Sequence, residues 1–303
     1  MPEKKAAPGA RPEVLSLAYS PCPNDTFVFH AWAHGLIPGA PALDVRLADI
    51  DITNGLAKEG ALDVLKISYA SLPHVLDEYA LLPCGGALGR GCGPLVVVRA
   101  EVESPSLVGR RVAVPGTGST AYLLFRLWAA TAVSDAPIGA EGGIGEIVVL
   151  PFDEIMPAVR DGVVDAGLVI HEARFTYGSY GLRSLADMGE EWEKETSLPV
   201  PLGAIVARRS LGADRLNALA EAARASVRHA WANRDASRSY VLQNAQEMTP
   251  DVVDQHIDLY VNEYTADIGT EGYEAVRTLL TRAAANGLVP PVAPDALTLP
   301  GAR

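Results

Sequence analysis

Short apolar, β-branched runs alternate with stretches of helical period along the first two thirds of the chain, the pattern of an α/β protein. Val14 to Tyr19 reads as a strand, Asp25 to His34 as a helix, Leu43 to Ala48 as a strand, Ile52 to Glu59 as a short helix and Leu62 to Ile67 as a third strand. Leu95 to Arg99, in PLVVVR, is a further strand. Glu103 to Leu107 reads as a linker before the strand Arg111 to Val114, so a lobe boundary is expected there. From about Asp214 the pattern changes to helices without intervening strands: Asp214 to Asn233, Ala236 to Glu247, Pro250 to Asn262 and Glu271 to Asn286. A strand-like PLGAIVARR, Pro201 to Arg209, precedes them.

A weak internal repeat adds an architecture to this pattern. LAYSPCPNDTFVFHAW, from Leu17, resembles VAVPGTGSTAYLLFRLW, from Val112; in each a strand ends in a Pro/Gly loop and a polar cluster opens a helix. Asn24 and Asp25 match Ser119 and Thr120. LAKEGALDVLKIS likewise resembles AVRDGVVDAGLVIH, which sets Gly60 and Asp63 against Gly162 and Asp165, and Tyr69 against His171. βα units of similar composition can look alike by chance, so the structure must decide whether the repeat is real. If it is, two similar halves enclose a cleft, and ligands bind outside the carboxyl ends of such strands. PLVVVR and PLGAIVARR would carry two crossings between the lobes, which together form a hinge. The division expected is a disordered tail over 1–12, a larger discontinuous lobe over 13–100 and 205–303, and a smaller lobe over 108–200.

Composition narrows the function classes. With 303 residues there is room for two domains, and 49% hydrophobic against 20% charged residues excludes a long disordered chain. A formal net charge of -12, with no basic block beyond the first few residues, argues against nucleic acid or an anionic membrane surface as a partner. A small anionic ligand would need a local pocket of donors. Lys4, Lys5 and Arg11 precede no apolar stretch that could serve a secretion signal, and no apolar run reaches the roughly 18 residues of a membrane helix. Cys22, Cys84 and Cys92 form neither an even set nor a C-x-x-C pair, which argues against a disulfide framework or structural zinc. Reduced thiols fit the cytoplasm.

Several residues could carry chemistry. His171 ends the apolar run AGLVI at the carboxyl end of a strand, where partial burial would keep an imidazole neutral and basic. A histidine hydrogen-bonded to its own loop would occupy the same place. Ser119 and Thr120 open a helix and can hold a carboxylate at its positive end or simply cap it; Asn24, Asp25 and Thr26 have the same two roles open in the first lobe. Lys66 lies inside an apolar strand, where an unpaired ammonium is costly. It must reach a carboxylate or a ligand, and Ser68 projects to the same side. Arg90, in GGALGRGCGP, could approach the cleft or stay solvated on a flexible loop. His30 and His34 have a metal-like spacing but no third ligand. No G-x-S-x-G elbow supports a serine triad, and Asp63 and Asp165 read as ends of helix-to-strand turns.

SPCPNDTFVFHAWAHG, LDVLKISYASL, GGALGRGCGPLVVVR, VAVPGTGSTAYLLF, GLVIHEARFTYGSYGL and LPVPLGAIVARR, in that order, closely resemble the 1,4-dihydroxy-6-naphthoate synthases of the futalosine route to menaquinone. The likeness runs from about Leu15 to the C-terminal helices. It implies a two-lobed type II periplasmic-binding-protein-like α/β fold with a central cleft and a helical C-terminal segment. It also implies a lyase that needs no cofactor, acting on cyclic dehypoxanthine futalosine. On the same ground His171, in the IHE block, is the expected base; Lys66, Ile67 and Ser68, with Ser119 and Thr120, are expected substrate contacts. Thr117 and Gly118 depart from the family's usual residues. Two rivals share the fold: a solute-binding protein, which would need a secretion signal, and a chorismate dehydratase, against which the IHE and SPCPNDTF blocks speak.

Overall fold

The computed structural model describes residues 14–103, 105–245 and 249–299; the expected N-terminal tail lies outside them. The elements in chain order are β1 (Val14–Tyr19), α1 (Pro23–Ala33), β2 (Ala42–Leu47), α2 (Ile50–Lys58), β3 (Val64–Ser68), β4 (Tyr79–Gly89), β5 (Leu95–Arg99) and β6 (Arg111–Val114). Then follow α3 (Thr120–Ala132), β7 (Glu146–Val149), α4 (Phe152–Arg160), β8 (Ala166–Val169), α5 (Ala173–Thr176), β9 (Leu182–Asp187), α6 (Met188–Thr196) and β10 (Val200–Arg208). The chain closes with α7 (Ala213–Ala232), α8 (Arg238–Asn244), α9 (Pro250–Tyr260), α10 (Glu263–Ala266) and α11 (Gly269–Ala285).

Two five-stranded sheets share one topology. The first has the order β2-β1-β3-β10-β4 and the second β7-β6-β8-β5-β9. In each, three parallel strands are followed by an antiparallel one that has come over from the other lobe. The chain crosses between lobes over residues 90–94 and again over 197–199. Leu95–Arg99 therefore belongs to the second sheet, pairing β8 and β9, so the lobe boundary expected after residue 100 moves to the loop before it. An apolar strand reads the same whichever sheet it joins, because its partners are distant in sequence.

The G-x-x-D half of the internal repeat is a structural fact, whereas at the helix starts Cys22 and Pro23, not Asn24 and Asp25, take the places of Ser119 and Thr120. Asp63 accepts from the Ser16 N–H at 2.9 Å, and Asp165 accepts from the Arg111 N–H at the same distance. Each aspartate thus pins the first residues of its lobe's leading strand to the turn before the third. Gly60 and Gly162, three residues earlier, both have left-handed φ, of 61° and 73°, a conformation cheap only for glycine.

Helix starts follow the sequence chemistry. Ser119 caps α3 through Tyr122 N–H, and Asp187 caps α6 through Gly189 and Glu190. At α1 the cap position is Cys22 and Pro23 opens the helix, so Asn24 and Asp25 fall inside the first turn and their side chains are free for other work. Nearly every residue of α1 is buried, as expected for a helix apolar on all sides. The C-terminal helices α7, α8 and α9 cover one face of the first sheet in a cluster with Phe27, Phe29 and Trp32. A second cluster runs through both lobes, joining Leu65 and Val206 to Val96, Leu168 and Phe125 under α11. The lobes are therefore fastened along one side and open on the other. The helix expected over Ala236 to Glu247 is shorter, a 3-10 turn at Arg234–Ser237 and then α8; Glu247 lies outside the described residues. GGALG, expected as loop, is the end of β4.

Candidate active site

Loops after β1 and β6 feed α1 and α3, and both helix starts face the open side between the lobes. The cleft there has an outer chamber of about 650 Å³ and an inner one of about 80 Å³. Ser20, Ser119, Ile170 and His171 line both.

The inner chamber is floored by a buried ion pair between Lys66 and Asp25. Asp25 also accepts from Ser20 Oγ at 2.6 Å and from Asn24 Nδ2 at 2.8 Å, so its charge is fully answered. Of the two partners expected for Lys66, the carboxylate is present, while the ammonium still borders the chamber. Strand alternation carries Ser68 to the same side. Its N–H donates to Asn54 Oδ1 at 2.8 Å, and Asn54 Nδ2 donates to its hydroxyl at 3.1 Å. Ile67 points the other way into the core and lines neither chamber.

Asn24 links this pair to His256, on α9. Because Asn24 gives its amide hydrogens to Asp25, its Oδ1 faces His256 Nε2 at 3.0 Å and must be the acceptor. His256 therefore carries its proton on Nε2. Burial drives its pKa well below the ordinary histidine value, with His171 the next cause, so it is neutral and its Nδ1 is sealed from solvent without a partner. The His256 ring lies nearly parallel to that of His171, centroids 6.1 Å apart.

His171 follows β8 with a left-handed φ of 52°, rare for a residue with a side chain and typical of sites where strain is tolerated for function. The residue keeps some exposure along the cleft wall, while protein surrounds the rest of its ring. Desolvation pushes its pKa down to about 4, with Asp25 opposing and Lys66 reinforcing the shift. Its Nδ1 lies 3.6 Å from Cys22 Sγ. Among the described residues Nε2 has no protein partner and is not sealed, so it is the nitrogen open to the cleft. A neutral imidazole basic at Nε2 carries its proton on Nδ1, directed at the Cys22 sulfur. That thiol stays protonated, since burial and Asp25 raise its pKa.

At α3, Ser119 is committed to capping, donating to Gly116 O at 3.0 Å and accepting from Tyr122 N. The Thr120 hydroxyl is committed too: it donates to Leu202 O at 2.7 Å and accepts from Ala70 N at 3.2 Å, both in the other lobe. The free donors are the backbone N–H groups of the helix's first turn, at Thr120 and Ala121, beside the inner chamber. The outer chamber is acidic. Asp49, Asp51, Asp153 and Glu172 line it against the single ammonium of Lys58. Burial raises the pKa of Asp49, with Asp51 and Asp153 adding to the effect.

The model of a family described as menaquinone biosynthesis matches residues 15–285. The chain belongs to the menaquinone-biosynthesis family. A curated relative from Streptomyces coelicolor, named 1,4-dihydroxy-6-naphthoate synthase, is 69% identical over 288 residues, 95% of this chain and 99% of the relative. A Thermus thermophilus protein of the same name is 45% identical, over 92% of this chain and 97% of its own. Among solved structures, protein AF1704 of Archaeoglobus fulgidus superposes with a TM-score of 0.82 at 32% identity, covering 91% of this chain and 98% of that one. A Candida albicans protein described as having the generic periplasmic binding protein fold matches at a TM-score of 0.66 and 11% identity, over 94% and 93% of the chains. That likeness shows the fold alone.

Within this menaquinone-biosynthesis chain the structure gathers His171, Lys66, Ser68, Ser119, Thr120, Asn24 and Asp25 around one cleft. Arg90 lies outside it, bound to Glu271 at 2.7 Å and to Ser197 O at 3.0 Å, so it ties the two crossings together. The rings of His30 and His34 meet at a tilt, centroids 4.4 Å apart, beside Tyr240. Among the described residues no group of three or more His, Cys, Asp or Glu could hold a metal ion, and no helix is long and apolar enough to cross a membrane. Sequence reasoning missed His256 and Asn54, whose helical contexts carry no motif. It named Cys22 and Glu172 only in passing, although their place beside the two strand-end loops was a usable signal.

Proposed function

We propose that this chain converts cyclic dehypoxanthine futalosine to 1,4-dihydroxy-6-naphthoate in the cytoplasm, as a carbon–carbon lyase, with His171 taking the proton that starts fragmentation. The observation that carries the reading is His171 itself: a neutral imidazole with left-handed φ, one nitrogen held by Cys22 and the other open to the cleft. A pKa near 4 keeps the base unprotonated at neutral pH. Charge orients the substrate. Its carboxylate goes to the free N–H groups at the start of α3, away from the acidic outer chamber, and its uncharged hydroxylated carbons lie against Asp49 and Asp153. Closing the lobes would exclude water from the reacting bond.

The test is to incubate the pure protein with cyclic dehypoxanthine futalosine in the presence of chelator and follow dihydroxynaphthoate by mass spectrometry. Product is expected without added metal or cofactor; its absence would return the chain to solute binding or another reaction. His171→Asn should remain folded and bind product while kcat falls by about 10² to 10⁴, the range for a lost general base. A variant that keeps more than about a tenth of the parental kcat would remove His171 from the mechanism.

A further inference from the structure

We propose that Glu172 is the second proton-transfer group of this site, the acid that protonates the departing fragment while His171 takes a proton from the substrate. The inference rests on the reading of His171 given above.

Successive side chains along a strand point to opposite faces. The left-handed φ at His171 breaks that alternation, and both His171 and Glu172 line the outer chamber. Glu172 opens α5, its carbonyl accepting from Phe175 N at 2.9 Å and from Thr176 Oγ1 at 3.3 Å. Its carboxyl, though largely withdrawn from water, has no partner among the described residues beyond its own backbone N–H. Structural carboxylates at such depth are paired, as Asp25 is with Lys66 and Asp187 with Arg174 at 2.6 Å. An unpaired one in a cleft is a candidate for chemistry.

The charged groups around it favour a proton. Asp49 and Asp51 face the chamber from the start of α2, Asp153 from the start of α4, Lys58 from the end of α2, and His171 from the same turn. Desolvation, with Asp49 contributing, pushes the Glu172 carboxyl up to about 7, while His171 beside it is pushed down to about 4. Two titratable groups driven apart in one chamber mark a division of labour between acid and base.

The proton ledger closes. His171 Nε2 accepts the proton of a substrate hydroxyl, and the O–H electron pair becomes the second bond of a carbonyl as the adjacent C–C bond breaks. That bond's pair stays with the other fragment, which takes the proton of Glu172. An imidazolium and a carboxylate remain on neighbouring residues, and transfer of one proton from His171 to Glu172 through water restores both.

Glu172→Gln keeps the size of the side chain and removes the acid. It should bind product within about twofold of the parent, lose about 10²-fold in kcat with KM little changed, and lose the alkaline limb of kcat/KM near pH 7 while the acid limb persists. Retention of kcat, or survival of that alkaline limb, overturns the proposal. An infrared titration of the unsubstituted protein tests the same point without relying on a variant's folding: one carboxyl should protonate near neutral pH. Titration of every carboxyl in the ordinary range near pH 4 would overturn it. An active His171→Asn enzyme would sink the base assignment instead, which keeps the two failures apart.

Discussion

At the scale of single residues, hydroxyl and ammonium groups that read as ligand contacts turn out to hold the protein together as well. The Thr120 hydroxyl satisfies a buried N–H at Ala70 and a carbonyl at Leu202, both across the lobe junction. Thr120→Val keeps the shape and leaves those two groups without their partner. A loss of about 1 to 3 kcal/mol in stability is expected, the scale for stranding buried polar groups. Product affinity should change less, because the backbone N–H groups of α3 are untouched. Thermal unfolding together with product-binding calorimetry checks both, and a loss of affinity at unchanged stability would restore the hydroxyl as a direct ligand. Lys66 carries the same double duty, since removing it would leave Asp25 charged and buried.

At the scale of elements, the crossing over residues 90–94 is built on close approach. A Cβ on Gly93 would stand 2.1 Å from the backbone nitrogen of Gly189 at the start of α6, a contact that neither backbone can relieve cheaply. Arg174 locks the same place, donating to Gly93 O at 2.8 Å and pairing with Asp187, which caps α6. Gly93→Ala is therefore expected to destabilise by about 2 kcal/mol or more, as overpacking does. Because Arg174 lies three residues beyond His171, the displaced crossing should also lower kcat. Denaturant midpoints and kcat measured on the same preparation test this, and a variant with unchanged stability would show that the crossing can shift freely.

At the scale of the whole molecule, two neutral histidines, His171 at the cleft and His256 buried behind it, make stability depend on acid. The native pKa of His171 is about 4 and that of His256 is also depressed, while an unfolded histidine protonates near 6.5. Below about pH 6.5 the unfolded chain binds protons that the native one refuses, so stability falls as pH drops from there toward 4. Glu172 acts in the opposite sense, since its raised pKa gives the native state the extra proton between about 4.5 and 7. Asp49, also raised by burial, acts with Glu172, while His30 and His74, both lowered by burial, act with the other two imidazoles. Four imidazoles outweigh two carboxyls, so the denaturation midpoint should be lower at pH 5 than at pH 7, and the difference should shrink in His256→Gln. An equal midpoint at the two pH values would mean that the histidines are solvated in the folded state.

The alternation of apolar runs and helical periods was enough to establish an α/β chain, its leading strands and its helical end, and to suggest its repeated halves, because periodicity and capping are local properties. The G-x-x-D turns were legible for the same reason: a left-handed glycine and an aspartate that reaches one strand over act within a few residues of their own turn. His171, Ser119 and Thr120 were legible as candidates because they lie at a strand end and a helix start, and Lys66 and Ser68 because an ammonium inside an apolar strand needs a partner on its own side. Tertiary structure alone decided which sheet took Leu95–Arg99, that Lys66 pairs with Asp25, that Thr120 bridges the lobes and that His256 stands behind His171. Each of these is a contact between residues 41 to 85 positions apart, and no local pattern of hydrophobic and polar residues encodes a partner at that distance.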